Sequence, residues 1–392
     1  MIKILFVIDS LGCGGAEKSL VSLLPLLNKE KYDIHLWILH RGGVFENLVP
    51  GNVIIEKTPA YTDNNWYKNH LAQLRYSILF RWNSLIKKKE HRAETLWKCT
   101  GNLQEVPSED FDVAIAYQQG LPTYLVASKV KARKKIAWVN VNIFNAGYSA
   151  IFNSVFYDKM DYIVPVSKDL ETILLDTYPQ FSRKYVCIYD ILNPELIRRN
   201  ANEPIPEQEL FNQSVTLVTV GRLAVQKNYL LAVEAAKILN EKGIDFRWFF
   251  VGEGSERPHI EQKIVQYGLE QRVILLGLRT NPYPYMGHCT VYVQTSSYEG
   301  FGLTIAEAKI LGKPVVSTDF DVVHDQIVHG QNGLIAEMTA TSIAGHIIRM
   351  LTDKSLCNHI IENVRNEKNN TYLTEVIQAE RIIDEDRDDY MP

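Results

Sequence analysis

Three stretches of this chain bring cations, carboxylates and glycines together at spacings suited to a phosphorylated ligand. Gly221-Arg222-Leu223-Ala224-Val225-Gln226-Lys227-Asn228 sets a guanidinium and an ammonium beside a glycine turn. Arg offers a planar fork of donors to phosphate oxygens and Lys a compact charge. Together they can offset the charge that builds on a departing diphosphate. Further on, Ser296-Ser297-Tyr298-Glu299-Gly300-Phe301-Gly302-Leu303-Thr304-Ile305-Ala306-Glu307-Ala308 holds two carboxylates, Glu299 and Glu307, around a pliable glycine loop. Gly300 and Gly302 leave the backbone amides from Phe301 through Leu303 to Thr304 free to face a ligand. Thr304-x-x-Glu307 also fits a capping box, in which Glu307 would serve only the start of a helix. Near the N-terminus, Gly12-Cys13-Gly14-Gly15-Ala16-Glu17 joins an apolar run to an amphipathic one. Such a turn lets backbone approach a ligand, and the helix start beyond it offers unpaired N–H groups.

These stretches need strands and helices to hold them. Ile4–Ile8 is a continuously apolar run, as expected of a parallel strand covered on both faces. A helix from Ala16 to about Leu27 follows. Further buried strands are expected at Ile34–Leu39, Val53–Ile55, Val113–Tyr117, Ile136–Val139 and Tyr162–Val166. A polar, Pro-containing stretch from Asn193 to Ser214 interrupts the pattern, which then restarts. Strands at Val215–Val220, Phe246–Val251, Val273–Leu276, Thr290–Val293 and Val315–Ser317 alternate with helices at Tyr229–Asn240, Glu256–Tyr267 and Leu303–Leu311. Alternation of this kind predicts an α/β class fold of two doubly wound, Rossmann-like domains, 1–192 and 193–371, facing across a cleft.

Composition narrows the function. A chain of 392 residues suits two domains rather than one core. A net charge of −4 supplies no general attraction to nucleic acid, so no nucleic-acid partner is expected. Five scattered cysteines, never spaced Cys-x-x-Cys, argue against a disulfide framework or a zinc site. The first apolar run ends at Asp9 without a cleavage site, and no run approaches the roughly 18–20 apolar residues that span a bilayer. A cytoplasmic protein is expected, with a place at the inner face of the membrane left open.

That opening comes from residues 66–98. Lys68, Arg75, Arg81, Lys87, Lys88, Lys89, Arg92 and Lys98 stand against only Glu90 and Glu94. Trp66, Tyr67, Leu71, Leu74, Ile78, Leu79, Trp82 and Leu85 interleave at helical spacing. Two readings stand: a solvated helix with one packed face, or a basic amphipathic surface that rests on anionic lipid.

An NAD-type dinucleotide site is a rival for the first glycine turn. Its fingerprint wants Gly or Ala where this chain has Glu17, and an acidic end to the second strand where it has His40-Arg41. The ordered set of motifs resembles instead the retaining, nucleotide-sugar-dependent glycosyltransferases of family 4, the glycosyl transferases group 1, which have the GT-B fold. The matching residues are Gly14-Gly15-Ala16-Glu17, Gly221-Arg222-Leu223 with Lys227-Asn228, and Val251-Gly252-Glu253-Gly254. They continue through Glu299-Gly300-Phe301-Gly302, Glu307-Ala308, Gly312-Lys313-Pro314-Val315-Val316 and Asn332-Gly333-Leu334.

The resemblance implies roles. Arg222 and Lys227 would hold the donor diphosphate beside Gly221, Gly252 and Gly254. Glu299 would face the donor sugar, with the Gly300–Leu303 backbone on sugar and phosphate, and Glu307 would accept from the ribose hydroxyls. Gly14 and Gly15 would line the cleft from the other domain. A nucleotide-diphosphate sugar, UDP-linked in most relatives, would be co-substrate, with no cofactor and no metal; Asp319-Phe320-Asp321 reads as a loop. A saccharide or lipid-linked saccharide would be the acceptor, and the helix at 372–392 would pack back on the first domain. The chain departs from the pattern at Trp138-Val139-Asn140, where many relatives carry a histidine aimed at the sugar. Asn140 hydrogen-bonds but carries no positive charge. An impaired sugar-nucleotide-binding homologue, supported by Asn140, and a nucleotide-sugar 2-epimerase, which shares the architecture, remain alternative readings.

Overall fold

A computed structural model describes residues 1–12, 14–57, 66–85, 91–206, 215–367 and 371–385. Lys87, Lys88 and Lys89 lie outside the described residues. The chain forms two compact units, Met1–Ile191 together with Leu373–Pro392, and Leu192–Tyr372.

In the first unit, strands β1 (Ile2–Ser10), β2 (Tyr32–His40), β3 (Ile54–Ile55), β4 (Phe111–Ala116), β5 (Ala132–Val139) and β6 (Tyr162–Pro165) form one sheet. Its order is β3-β2-β1-β4-β5-β6, with parallel pairing throughout. The apolar run Ile4–Ile8 is fully buried in the centre, in register with Ile34 on one side and Val113 on the other. Helices α1 (Gly15–Leu23), α2 (Trp66–Leu85), α3 (Arg92–Thr100), α4 (Leu121–Ser128), α5 (Ala150–Tyr157) and α6 (Lys168–Thr177) connect these strands or cover the sheet. The first helix stops four residues short of the expected Leu27. Pro25 lacks the N–H that would continue the ladder, and the chain tightens into a 3₁₀ turn over Leu24–Leu26.

In the second unit, α7 (Pro194–Asn200) precedes β7 (Val215–Val220), α8 (Tyr229–Glu241), β8 (Phe246–Val251), α9 (Arg257–Gln266) and β9 (Val273–Gly277). Then come α10 (Tyr283–His288), β10 (Val291–Gln294), α11 (Leu303–Ile310), β11 (Val315–Thr318), β12 (Leu334–Ala336), α12 (Ala340–Thr352) and α13 (Lys354–Asn366). The sheet order is β12-β11-β10-β7-β8-β9, again parallel. Strand β8 shows why both faces are covered. Phe246, Trp248 and Phe250 enter one apolar cluster, and Phe249 and Val251 enter another on the opposite face. Each such side chain contributes about 1.5–3 kcal/mol by leaving water. The edge strand β12 is too short to show a period and was not expected from sequence.

The last helix, α14 (Thr371–Asp384), belongs almost wholly to the first unit. Buried Lys134 on β5 donates to the carbonyls of Ile382 (3.2 Å), Ile383 (2.9 Å) and Glu385, satisfying the helix C-terminus. At the other end of the contact, Glu375 accepts from the Tyr189 amide at 2.8 Å.

Parallel sheets bind ligands where strand order reverses, at the carboxyl ends of the strands. That point lies between β1 and β4 in the first unit, and between β7 and β10 in the second.

Candidate active site

In the second unit the loops after β7, β8 and β10 are knitted together. Gly252 and Gly254 are required by close approach: a Cβ on Gly252 would lie 1.9 Å from the Gly221 carbonyl oxygen, and one on Gly254 would lie 2.2 Å from that of Leu223. The Leu223 amide donates to the Glu253 carbonyl at 2.9 Å, and the Glu256 amide to the Leu223 carbonyl at 3.0 Å. The glycines therefore press the β8 loop against Gly221–Leu223 and fix where Arg222 leaves the backbone. The β10 loop is tied on by Ser297 N to Gln226 O (2.8 Å) and by Thr295 Oγ1 to Lys227 O (2.9 Å). Asn228, at φ +49°, is the one non-glycine residue with positive φ among the described residues, and it turns the chain from Lys227 into α8.

Glu299 is the centre of this network. Its Oε1 accepts from Lys227 Nζ (2.5 Å), Ser296 Oγ (2.5 Å) and Gln294 Nε2 (2.9 Å). Its Oε2 receives only a long contact from Gln226 Nε2, at 3.4 Å. The carboxylate is almost enclosed and the Lys227 side chain nearly so. One oxygen is thus anchored and the other is the less engaged. Gln294, fully buried at the end of β10, is held in turn: its Oε1 accepts from Tyr292 Oη (2.9 Å) and Thr304 Oγ1 (3.2 Å). Arg222 stays exposed and makes no ion pair among the described residues. Lys227 and Glu299, assigned by resemblance to diphosphate and sugar, are here paired with each other.

Helix α11 begins after Gly302, whose φ of +85° and ψ of 45° place it in the left-handed region, with no side-chain cap. The capping-box reading of Thr304 and Glu307 therefore fails, because Thr304 already lies inside the helix and points to Gln294. Glu307 is fully buried, and its Oε1 accepts from Tyr283 Oη at 2.9 Å. Burial, and then Glu307, holds the Tyr283 phenol well above its ordinary range, so it remains a donor. The Phe301 and Gly302 carbonyls accept from Gln326 Nε2, which clamps the loop ahead of α11. The first amides of α11 have no acceptor within the helix and carry the positive end of its dipole.

Sequence reasoning missed Gln294, Ser296, Tyr283 and Gln326. A glutamine closing the buried run Val291-Tyr292-Val293-Gln294 was a usable signal; Gln326 sits in an unpatterned stretch and offered none. A separate cavity of about 480 Å³ lies where α7, α10, α11 and α13 end. There Arg198, His288, Lys309 and Arg365 offset the negative helix termini, away from Glu299.

In the first unit, Gly14 is the extended residue before α1, and Gly15 its first residue. Asn140 follows β5 and is buried. Its Nδ2 donates to the Tyr117 carbonyl (2.9 Å) and its amide to Gln119 Oε1 (3.0 Å). Its side-chain oxygen is enclosed without a hydrogen-bond partner. The asparagine thus commits one amide N–H to structure and holds its oxygen enclosed.

Residues 201–367 match the family model described as glycosyl transferases group 1, a span that takes in every site residue of the second unit. That segment belongs to the glycosyl transferases group 1. This glycosyltransferase is 27% identical over 319 residues to the N-acetylgalactosamine-N,N'-diacetylbacillosaminyl-diphospho-undecaprenol 4-alpha-N-acetylgalactosaminyltransferase of Campylobacter jejuni, 81% of each chain. It is 31% identical over 147 residues to the alpha-D-kanosaminyltransferase of Streptomyces kanamyceticus, covering 37% of this chain and 38% of that one. Its fold is that of HepE from Anabaena solved with UDP-glucose, at a TM-score of 0.73 and 18% identity over 97% of this chain and 99% of that one. TarM from S. aureus, in complex with Fondaparinux, alpha-GlcNAc-glycerol and UDP, matches at a TM-score of 0.68 and 14% identity, over 98% and 100% of the chains. The fold is GT-B.

Proposed function

We propose that this glycosyltransferase moves a sugar from a UDP-sugar to a saccharide or lipid-linked saccharide, with retention of anomeric configuration and without a metal, in surface polysaccharide or glycoconjugate assembly. The observation that carries the proposal is the arrangement around Glu299: an anchored carboxylate, Lys227 upon it, exposed Arg222 in the loop that carries Lys227, and the amide-rich start of α11 following. Arg222 and Lys227 take the diphosphate once a donor enters, and the α11 N-terminus adds its dipole. Cations and dipole supply the charge compensation that a divalent ion supplies elsewhere. HepE was solved with UDP-glucose and TarM with UDP, which supports uridine as the base.

The saturated Oε1 favours front-face departure over a covalent glycosyl-enzyme. A carboxylate oxygen that already accepts from an ammonium and two further donors is a poor nucleophile. In the front-face route the bond from the anomeric carbon to the diphosphate oxygen breaks. The acceptor oxygen bonds to that carbon on the same face, and its proton passes to the departing diphosphate oxygen. Glu299 positions the sugar, through Oε2.

A lipid-linked acceptor implies work at a membrane. Among the described residues no helix is long and apolar enough to cross one. Helix α2 nevertheless turns an apolar stripe to solvent, with Leu71 64%, Leu74 57%, Ile78 55% and Trp82 60% exposed. These residues recur at i, i+3, i+7 and i+11, on one face. Exposed Arg75 and Arg81 flank them, and α2 contains no carboxylate. This combination supports peripheral contact with anionic lipid at the cytoplasmic face through residues 66–98. The Campylobacter relative's name, which includes diphospho-undecaprenol, points the same way.

The test is a calorimetric titration of nucleoside diphosphates in the presence of a chelator. UDP is expected to bind with micromolar affinity, and Arg222→Ala to weaken it about 10-fold, the loss of one charge-assisted contact of about 1.4 kcal/mol. If no nucleoside diphosphate binds, the impaired-homologue reading gains, with Asn140 as its first support.

A further inference from the structure

We infer that Gln294 and Ser296 are positioning residues for sugar transfer: they keep the Glu299 carboxylate in place once Lys227 has turned to the donor diphosphate. The inference rests on the transferase reading above and deepens it. It divides the work around Glu299 between a charged partner that leaves and neutral partners that stay.

The Lys227 ammonium lies on Glu299 Oε1 at 2.5 Å. A diphosphate carries more charge than one carboxylate and draws the ammonium toward itself. Glu299 Oε1 then keeps two donors, Gln294 Nε2 at 2.9 Å and Ser296 Oγ at 2.5 Å. Gln294 and Ser296 are fully buried, and Gln294 Nε2 also donates to Ser296 Oγ at 2.7 Å. The Ser296 backbone is pinned as well, because buried Thr318 Oγ1 donates to its carbonyl at 2.7 Å.

The Gln294 amide can sit only one way round. The Glu299 carboxylate, paired with Lys227, accepts and does not donate, so the NH₂ group must face it. The amide oxygen is thereby turned to two hydroxyls, Tyr292 Oη at 2.9 Å and Thr304 Oγ1 at 3.2 Å. Burial holds the Tyr292 phenol well above its ordinary range, so it stays a donor. Both N–H groups and both lone pairs of the amide are thus used, and a reversed amide would set oxygen against oxygen. Thr304 stands in the first turn of α11, so one buried amide joins the carboxylate to the helix start that follows the glycine loop. With Oε1 fixed from the protein side, Oε2 keeps one direction, and a donor sugar meets its acceptor already aimed. Loss of the neutral donors therefore affects ligands that carry a sugar and spares those that carry only the diphosphate.

The experiment is calorimetry on the full chain with UDP and with UDP-glucose, UDP-galactose, UDP-N-acetylglucosamine and UDP-N-acetylgalactosamine. The readout is the Kd of the UDP-sugar that wild type binds best, divided by the Kd of UDP. UDP release from that sugar is followed on the same samples. Gln294→Met keeps the length of the side chain and removes its donors. It should raise the ratio about 5-fold and slow UDP release about 20-fold, with UDP affinity within about 2-fold of wild type. Lys227→Ala should behave in the opposite way and weaken UDP itself about 10-fold. Thr304→Val, at a half-buried position, tests the same network if Gln294→Met does not fold. It should raise the ratio about 3-fold, and Thr304→Ser, which keeps the hydroxyl, should restore it. Three results would overturn the inference. One is a Gln294→Met variant, or Thr304→Val in its place, that weakens UDP and UDP-sugar by the same factor. Another is a variant that leaves both the ratio and UDP release unaltered. The third is Lys227→Ala protein with wild-type affinity for UDP, because Lys227 would then never leave Glu299. Wild-type protein that binds no nucleoside diphosphate would instead break the transferase reading, and the inference would fall with it.

Discussion

The two sheets have the same strand order and reverse at the same place, yet their switch points are furnished for different ligands. Between β7 and β10 the loops carry Arg222, Lys227 and Glu299, and the carboxylate is held by an ammonium and two neutral donors. Around the cavity at the switch point between β1 and β4 stand amides, imidazoles, one carboxylate beside an imidazole, and the Arg92 guanidinium. Topology supplies a place where backbone ends converge, and side-chain chemistry decides what binds there. A polar network with every donor directed at one oxygen is rigid and directional; a mixed wall of donors and acceptors is permissive toward hydroxyls.

The largest expected effect tests the rigid site. Glu299→Gln keeps the shape but removes the charge that Lys227 and Ser296 point toward. Turnover should fall about 100-fold or more, as is typical when a positioned electrostatic group is lost at a reacting centre. The thermal midpoint should fall as well, because the nearly enclosed Lys227 ammonium loses the anion that offsets it. Full turnover in that variant would remove Glu299 from the role proposed and erase the contrast between the two sites.

A middle-sized effect tests the permissive unit. Tyr76 on α2 lines the first-unit cavity, while Leu71, Leu74, Ile78 and Trp82 on the same helix face solvent. A Leu74→Glu, Trp82→Glu double variant should reduce co-sedimentation with vesicles containing anionic phospholipid about 10-fold and leave UDP affinity unchanged. Vesicle binding that is equal in variant and wild type would return α2 to the solvated-helix reading.

Much of this was legible in the amino-acid order, and the exceptions have physical causes. Strands buried on both faces announce themselves as apolar runs, and each expected strand from Ile4–Ile8 to Val315–Ser317 has a counterpart. Glycines that permit close backbone approach were visible as motifs, although only the geometry explains why Gly252 and Gly254 admit no side chain. The Thr304-x-x-Glu307 pattern misled because a left-handed glycine, Gly302, starts α11 in place of a hydroxyl cap. Gln294 and Gln326 escaped notice because their work is done through tertiary hydrogen bonds, which leave no periodicity. The cavity of the first unit escaped for the same reason: Asp9, His40, His91, Gln118 and Tyr148 converge from five separate stretches.

The smallest effect concerns a buried acid near the end of the first unit's main segment. Asp190 is half-buried as a residue, but its Oδ1 is enclosed and lacks a hydrogen-bond partner. Burial pushes the carboxyl up to about 7, against a hydrogen bond from Ser19 that lowers it. The same Ser19 hydroxyl lies 3.0 Å from Tyr117 Oη and accepts from the Ile191 amide at 3.2 Å. Because the folded carboxyl binds its proton more tightly than the unfolded one, the native state holds more protons between about pH 4 and pH 7. Stability from this group is therefore fullest below that window and is lost as pH rises through it. Asp190→Asn keeps the shape and removes the charge, so it should stabilise the protein by about 1–2 kcal/mol at pH 8, with the difference closing near pH 4. Chemical denaturation of both proteins across that range checks the sign. A variant less stable than wild type at pH 8 would mean that the ionised carboxylate is compensated in the fold. The first unit would then hold a charge as firmly anchored as Glu299, against the contrast drawn between the two switch points.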